Sequence, residues 1–314
     1  MSVTKENENF FKEIGFGNKV TEPNQRLMNK DGSSNVKRKG LSIFQSLSFY
    51  HSLITMPWWK FNVIVLSTYI VVNFIFASLY FFLDINHING MIAQTPLDKF
   101  LEAFFFSTQT ISTVGFGRLN PSGMLDSSIA AVESMVGLLG FALATGLLYG
   151  RFSRPIIKLL FSENIIVAPY KDQKALMFRV ANKRRNQLVE VEAVLIMSRV
   201  ENENGKDVRK FNTLNLELDR ISILSTTWTI VHPIDESSPM FSMKTEDFKK
   251  KDFEWLVMMK AFEETFSQTV HARTSYKHSE LVHGAKFNTI TEAGAGGSVI
   301  VQLDRIHEFE RVDI

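Results

Sequence analysis

The feature that most constrains this chain is a run of 23 residues without a charged side chain, FNVIVLSTYIVVNFIFASLYFFL, from Phe61 to Leu83. About 20 apolar residues in a helix cross the hydrocarbon core of a bilayer. The run therefore predicts a transmembrane helix at 60–83. Trp58 and Trp59 precede it, where an interfacial aromatic belt is expected.

A second span is predicted at 124–152, where Glu133 is the only charge deep in an apolar, glycine-rich stretch. Gly137 and Gly146 in this span suit either close helix packing or a bend, and the sequence leaves both readings open. Glu133 is an intramembrane carboxylate, which makes it a functional candidate; a purely structural hydrogen bond is the alternative.

The segment 41–59 has apolar residues at helical spacing and predicts an amphipathic helix on the membrane surface. Residues 1–40 are polar and predicted to be largely flexible, with a short ordered piece within 26–40. Basic residues precede the first span and follow the second, so the positive-inside rule predicts that both termini are cytoplasmic. No cleaved signal peptide is expected at the N-terminus.

From about residue 165 the pattern changes to short runs of branched and aromatic residues separated by polar turns, as in ALMFRV, TTWTIVH and SVIVQL. This spacing predicts a β-sandwich in the region 154–314. The chain has no cysteine, which excludes disulfides and thiolate metal sites, and a formal charge of +2, which gives no electrostatic case for nucleic acid. Neither a nucleotide-binding loop nor a serine elbow occurs, so an enzyme is not expected.

Between the spans, residues 97–109 are apolar but too short to cross, and TVGFG follows at 113–117. Non-helical backbone at membrane depth requires protein or a water-filled cavity around it. Glycines in alternate positions permit positive φ, which can turn successive carbonyls toward one axis. Four such strands around an axis would replace the water shell of K⁺, which predicts a homotetramer. The predicted K⁺ ligands are the backbone carbonyls of four filter residues: Thr113, Val114, Gly115 and Phe116. Gly117 completes the filter.

With these motifs, the chain resembles the inward-rectifier potassium channels, and most closely their prokaryotic branch. Besides TVGFG, the resemblance is carried by NKDGSSNV, GRFSRPIIKLLFS, FRVANKRRNQLVEVEA, VHPIDESSPMF and QTVHARTSYKHSELVHGAKF. It covers nearly the whole chain after residue 25. It implies a tetrameric membrane α-fold with two transmembrane helices, a pore helix and an interfacial helix in each chain (pore domain 60–153). It also implies a cytoplasmic all-β immunoglobulin-like sandwich at the C-terminus.

The resemblance implies roles for further residues of the inner span. Tyr149 matches the position that narrows the pore, with a lipid-facing aromatic as the alternative, and Gly137 and Gly146 match hinge positions. Phe141 occupies the position where strong rectifiers carry an acid, so Mg²⁺ and polyamines are expected to block only weakly. Ba²⁺ is expected to block as well.

In the cytoplasmic part, Glu190 and Glu264 match pore-lining acids. A loop constriction is expected from six consecutive residues: Glu264, Thr265, Phe266, Ser267, Gln268 and Thr269. Arg154 and Lys158 match an interface with an anionic lipid such as a phosphoinositide, or are ordinary positive-inside anchors. No organic cofactor is expected.

Two departures bear on selectivity. Phe116 stands where tyrosine is common, and Gln109 stands where the pore helix usually carries glutamate; Gln109 and Glu133 are the expected filter supports. A K⁺-selective channel is the leading interpretation, located in the cell or plasma membrane. The alternatives are a non-selective cation channel of the same architecture and a membrane-tethered binding module.

Overall fold

The computed structural model describes residues 25–36, 40, 48–84, 88–154, 157–184, 186–243 and 245–314. The described chain divides into two compact units, 39–154 and a unit that joins 1–38 with 155–314. The predicted segments 1–24, 37–39 and 41–47 lie outside the described residues.

The first unit is helical. Its helices are α1 (Phe49–Thr55), α2 (Trp58–Asp84), α3 (Pro96–Ile111) and α4 (Met124–Phe152), and a short antiparallel pair joins β1 (Ile88–Asn89) to β2 (Asn120–Pro121). The helices α2 and α4 are long and apolar enough to cross a membrane. Between them, α3 packs against both, with a small apolar core that includes Tyr80, Ala103 and Phe106.

The boundary between α1 and α2 differs from the predicted one. Helix α1 ends at Thr55, and Trp58 and Trp59 belong to α2 rather than to the interfacial helix. The cause is Pro57, because a proline ring disfavours helical backbone in the residue before it, and Met56 is extended at ψ 158°. The prediction that the interfacial helix continues to residue 59 is therefore wrong.

The second unit is a β-sandwich with a short helix, α5 (Thr245–Lys250). Its strands are β3 (Leu159–Phe161), β4 (Ile165–Tyr170), β5 (Gln173–Asn182), β6 (Leu188–Glu203), β7 (Lys206–Leu214), β8 (Arg220–Ile223), β9 (Thr227–Ile234), β10 (Glu254–Glu263), β11 (Gln268–Lys277), β12 (Leu281–His283), β13 (Ala285–Phe287), β14 (Thr291–Ala293), β15 (Val299–Val301) and β16 (Phe309–Arg311).

Two five-stranded sheets form the sandwich. One has the order β11-β10-β6-β7, with β8 also on β6, and the other has the order β12-β4-β5-β3, with β9 on β5. The pairs are antiparallel except β12 with β4. Alternate residues of both sheets point inward, so that Phe178, Leu195 and Trp255 share one apolar core.

Residues 25–36 lie against this sandwich. Met28 is 1% exposed, and the buried carboxylate of Glu254 accepts hydrogen bonds from the backbone N–H groups of Leu27 (2.8 Å) and Met28 (3.2 Å). The Arg26 guanidinium forms an ion pair with Glu280 at 2.9 Å. These contacts are made by residues within 26–40, the part of the N-terminal region where the sequence predicts a short ordered piece.

Candidate functional site

The TVGFG segment follows directly after the half-length helix α3, which lies between α2 and α4 in the chain. Helix α3 starts at Pro96, which needs no backbone N–H at the first position of a helix, and the Thr95 hydroxyl caps the N–H of Asp98 at 3.2 Å. It ends at Ile111. The backbone carbonyl of Gln109 then accepts hydrogen bonds from Val114 N (3.0 Å) and Gly115 N (3.4 Å), so the extended segment folds back over the last turn.

The backbone of residues 113–117 alternates in handedness. Thr113, Gly115 and Gly117 have φ of 58°, 52° and 88°, and the intervening Val114 and Phe116 do not lie in the positive-φ region. Such alternation is a way for a chain without regular structure to direct successive carbonyls to one side. Val114 and Phe116 are 54% and 78% exposed in the single chain.

A buried polar cluster lies behind α3, centred on Glu133 of α4, which is fully buried. Its carboxylate accepts a hydrogen bond from the Tyr80 hydroxyl at 2.7 Å and lies in hydrogen-bond contact with the Ser107 hydroxyl. Ser107 also lies 3.0 Å from Oδ1 of Asn73. A charged or polar group at membrane depth needs such partners, and these link α2, α3 and α4.

The partners of Glu133 were not identified from the sequence. Asn73 and Tyr80 are seven residues apart, two helical turns, and therefore share one face of α2. Tyr80 donates to Glu133 directly, whereas Asn73 accepts from Ser107, and a search for polar side chains on one face of the neighbouring span would have found both. For Gln109, the contact that the structure shows is made by its backbone carbonyl.

The candidate pore-facing residues of α4 are exposed in the single chain. Phe141 is 75% and Tyr149 is 74% exposed. Eight residues apart, they point within about 80° of each other around the helix. Gly146 has open space around it, whereas a Cβ on Gly137 would lie 2.0 Å from the Ile111 carbonyl oxygen. Gly137 is thus a close-packing position between α3 and α4.

Arg151, at the end of α4, also escaped the sequence analysis. Its guanidinium donates to the carbonyls of Leu53 (2.5 Å) and Met56 (2.7 Å), and it lies over the rings of Trp58 (4.5 Å) and Phe61 (4.6 Å). These contacts fix the end of α1 to α2 and α4. The predicted lipid-interface residues, Arg154 and Lys158, are both exposed.

In the sandwich, Glu190 is exposed and adopts a left-handed backbone with φ 48°, next to a β-bulge in the pairing of β6 and β10. Residues 264–269 are exposed as well and include the turn between β10 and β11. The buried neighbour Glu263 supports this turn by accepting hydrogen bonds from the Asn186 side chain (2.9 Å) and Phe266 N (2.8 Å). Burial alone raises the pKa of Glu263, but these hydrogen bonds outweigh it and hold the pKa below its usual range.

Within the described residues, no group of three or more His, Cys, Asp or Glu side chains could hold a metal ion. The described geometry instead combines two long apolar helices, a half-length helix between them, and a non-helical segment with alternating backbone handedness. These features define a membrane channel subunit.

Comparisons with known proteins identify the kind of channel. Residues 64–154 match the family described as ion channel, and residues 159–314 match the inward rectifier potassium channel C-terminal domain. The chain is 35% identical over 285 residues to the inward rectifier potassium channel Kirbac3.1 of Paramagnetospirillum magnetotacticum, covering 90% of this chain and 95% of that protein.

Animal proteins match as well. The ATP-sensitive inward rectifier potassium channel 12 of Gallus gallus is 30% identical over 74% of this chain and 59% of its own length. The G protein-activated inward rectifier potassium channel 4 of Homo sapiens is 26% identical over 85% of this chain and 69% of its own length. The chain belongs to the inward-rectifier potassium channel family, and to its prokaryotic branch, and is an integral membrane protein.

Proposed function

We propose that four copies of this chain form a K⁺-selective channel in which residues 113–117 line the filter. The observation that carries this proposal is the alternation of positive φ at Thr113, Gly115 and Gly117, directly after a half-length helix and between two apolar spans. The backbone carbonyls of residues 113–116 would take the place of water around K⁺. One chain supplies one strand of such a cage, so a homotetramer is required.

The exposure of α4 supports the tetramer. Phe141 and Tyr149 are large side chains that are about three-quarters exposed in the single chain. In a tetramer, neighbouring copies around a central axis would surround them. We assign Tyr149 to the inner gate, where four rings close the pore by excluding water. Gly146 has room to act as a hinge, whereas the close contact of Gly137 with Ile111 favours a packing role there.

Weak rectification follows from the charges along the proposed pore. Phe141 offers no charge to Mg²⁺ or polyamines, and the acids that remain are Glu190 and Glu264, both exposed in the sandwich. The turn at 264–269 would form the cytoplasmic constriction, held in shape by Glu263. Exposed Arg154 and Lys158 suit an anionic lipid surface, each contributing about 1 kcal/mol near a membrane. Both termini are assigned to the cytoplasm of a cell whose inner or plasma membrane holds the channel.

A non-selective cation channel is the second candidate, and two observations favour it. Phe116 has no hydroxyl to hydrogen-bond behind the filter, and Gln109 supports the filter segment through its backbone carbonyl. The hydrogen bonds of Glu133 to Tyr80 and Ser107 oppose this reading, because they stiffen the packing of α3 behind the filter.

Cation uptake into liposomes that contain the purified protein tests the proposal. We expect Rb⁺ uptake that K⁺ suppresses, Na⁺ does not, and Ba²⁺ blocks. Equal suppression by Na⁺ and K⁺ would replace the selective channel with the non-selective one. A crosslinked product that never exceeds a dimer would contradict the tetramer and with it the filter.

A further inference from the structure

The residue that directly follows the filter segment, Arg118, makes contacts that nothing in the sequence analysis assigned. Its Nη2 donates to Oε1 of Glu102 at 3.0 Å, and its Nη1 donates to the carbonyl of Gly90 at 3.2 Å. Glu102 lies on α3, and Gly90 lies in the connection between α2 and α3. One side chain thus joins the exit of the filter segment to two other elements.

Glu102 is the centre of this arrangement. Its Oε2 accepts hydrogen bonds from the backbone N–H groups of Ile92 (3.1 Å) and Ala93 (3.2 Å), while Oε1 accepts from Arg118. The side chain of Glu102 is 13% exposed and that of Arg118 is 54% exposed. The carboxylate is therefore largely shielded from solvent and bonded at both oxygens, unlike a free surface ion pair.

The backbone makes a second, independent contact at the same place. Gly90 has φ +85°, and a Cβ built on it would lie 1.8 Å from the carbonyl oxygen of Arg118. Only glycine fits this approach. The neighbouring pairs Ile88 with Pro121 and Asn89 with Asn120 continue it as β1 and β2. The chain after the filter is thus held by backbone pairing and by the Arg118 side chain together.

We infer that Arg118 and Glu102 form an outer clamp that keeps the exit of the filter strand in its conducting geometry. Arg118 is then a positioning residue, acting on the carbonyl cage through the backbone that it anchors. The clamp matters in this chain because Phe116 lacks a hydroxyl that could fix the outer half of the filter from behind. The inference rests on the proposed function, since it requires residues 113–117 to be the filter.

The test measures Rb⁺ uptake into liposomes, with K⁺ or Na⁺ as competitor, for the wild-type chain, four single variants and one double variant. Arg118→Met removes both side-chain bonds, and Glu102→Gln removes the charge of the partner while keeping its size. Arg118→Lys keeps the charge but cannot reproduce the two-pronged contact. Lys99→Met is the matched control, because it removes one positive charge from the same helix as Glu102, and the described contacts of Lys99 include no ion pair.

We expect Arg118→Met and Glu102→Gln each to raise competition by Na⁺ relative to K⁺ by about three- to fivefold, the range of a partly shielded ion pair. Their double variant should be no worse than the stronger single one, because both remove the same contact. Arg118→Lys should lie between wild type and Arg118→Met, and Lys99→Met should match wild type. Tetramer content on a sizing column is measured for each, so that loss of assembly is read separately from loss of selectivity.

Three results would overturn the clamp. The first is unchanged Na⁺ competition in assembled Arg118→Met. The second is a double variant whose effect on Na⁺ competition equals the sum of the two single effects. The third is a Lys99→Met variant that raises Na⁺ competition as much as Arg118→Met does, which would point to the net charge near the filter exit rather than to the contact. If Arg118→Met does not assemble, the comparison of Arg118→Lys and Glu102→Gln with Lys99→Met decides the matter in the same way. A wild-type protein that does not discriminate K⁺ from Na⁺ refutes the proposed selectivity instead, which keeps the two failures apart.

Discussion

Gly137 lies where the inner span touches the end of the half-length helix, and replacing it with alanine is a direct test of that contact. The added Cβ would lie 2.0 Å from the Ile111 carbonyl oxygen, whereas ordinary contacts begin at 3.4 Å. The two helices would have to part by about 1.4 Å at this point. Overpacking of this kind costs about 1–3 kcal/mol. Alanine's better helix propensity returns about 1 kcal/mol, which leaves a net loss of up to about 2 kcal/mol per chain.

The displacement would reach the filter segment, since Ile111 is the last residue of α3 and Thr113 follows two residues later. We therefore expect Gly137→Ala to lower both the temperature at which the detergent-solubilised tetramer dissociates and the rate of Rb⁺ uptake. Gly140→Ala is the matched control, because no atom lies within 4 Å of a Cβ there in the single chain. If Gly137→Ala and Gly140→Ala both keep the wild-type dissociation temperature and the wild-type rate of Rb⁺ uptake, the close contact does not exist.

Three further predictions concern charge. Phe141→Asp should increase block by internal Mg²⁺ and spermine in patch recordings, and unchanged block would remove Phe141 from the pore wall. Glu263→Ala should destabilise the turn that follows by about 1–3 kcal/mol, because it leaves the N–H of Phe266 unpaired. We expect limited proteolysis to cleave this variant faster at 264–269 than wild type. An unchanged cleavage rate would refute the prediction. Burial lowers the pKa of His232 and of His283, so the folded state resists their protonation. Their contribution to stability is therefore complete above pH 6.5, the ordinary pKa of histidine, and declines as the pH falls below it. The melting temperature of the protein should drop on acidification. His283→Asn should make this drop smaller.

The elements predicted best from the sequence are those with a long-range pattern. The uncharged run that forms α2 and the apolar stretch that forms α4 predict helices, since a backbone in a bilayer must satisfy its own hydrogen bonds. The short branched and aromatic runs of the sandwich, separated by polar turns, follow from an equally general rule.

What escaped the sequence are contacts between residues far apart in the chain. The bond from Tyr80 to Glu133 spans 53 residues, and the contact of Gly137 with Ile111 depends on how two helices cross. The end of α1 is different, because Pro57 is a local signal whose effect on Met56 was predictable. The docking of Met28 depends on Glu254, more than 200 residues away, and a polar segment gives no sign of such a partner.

The backbone of Thr113 has a consequence for the assembly as a whole. A β-branched residue with φ 58° is held in a conformation that costs about 1–2 kcal/mol. Four chains would carry this cost together, in a region where a bound cation between facing carbonyls could offset it. By mass action, an ion that binds only the assembled cage stabilises it as its concentration rises. In these terms the transported ion is also a ligand of the folded state, and the four subunits should come apart more readily in solutions from which K⁺ has been removed.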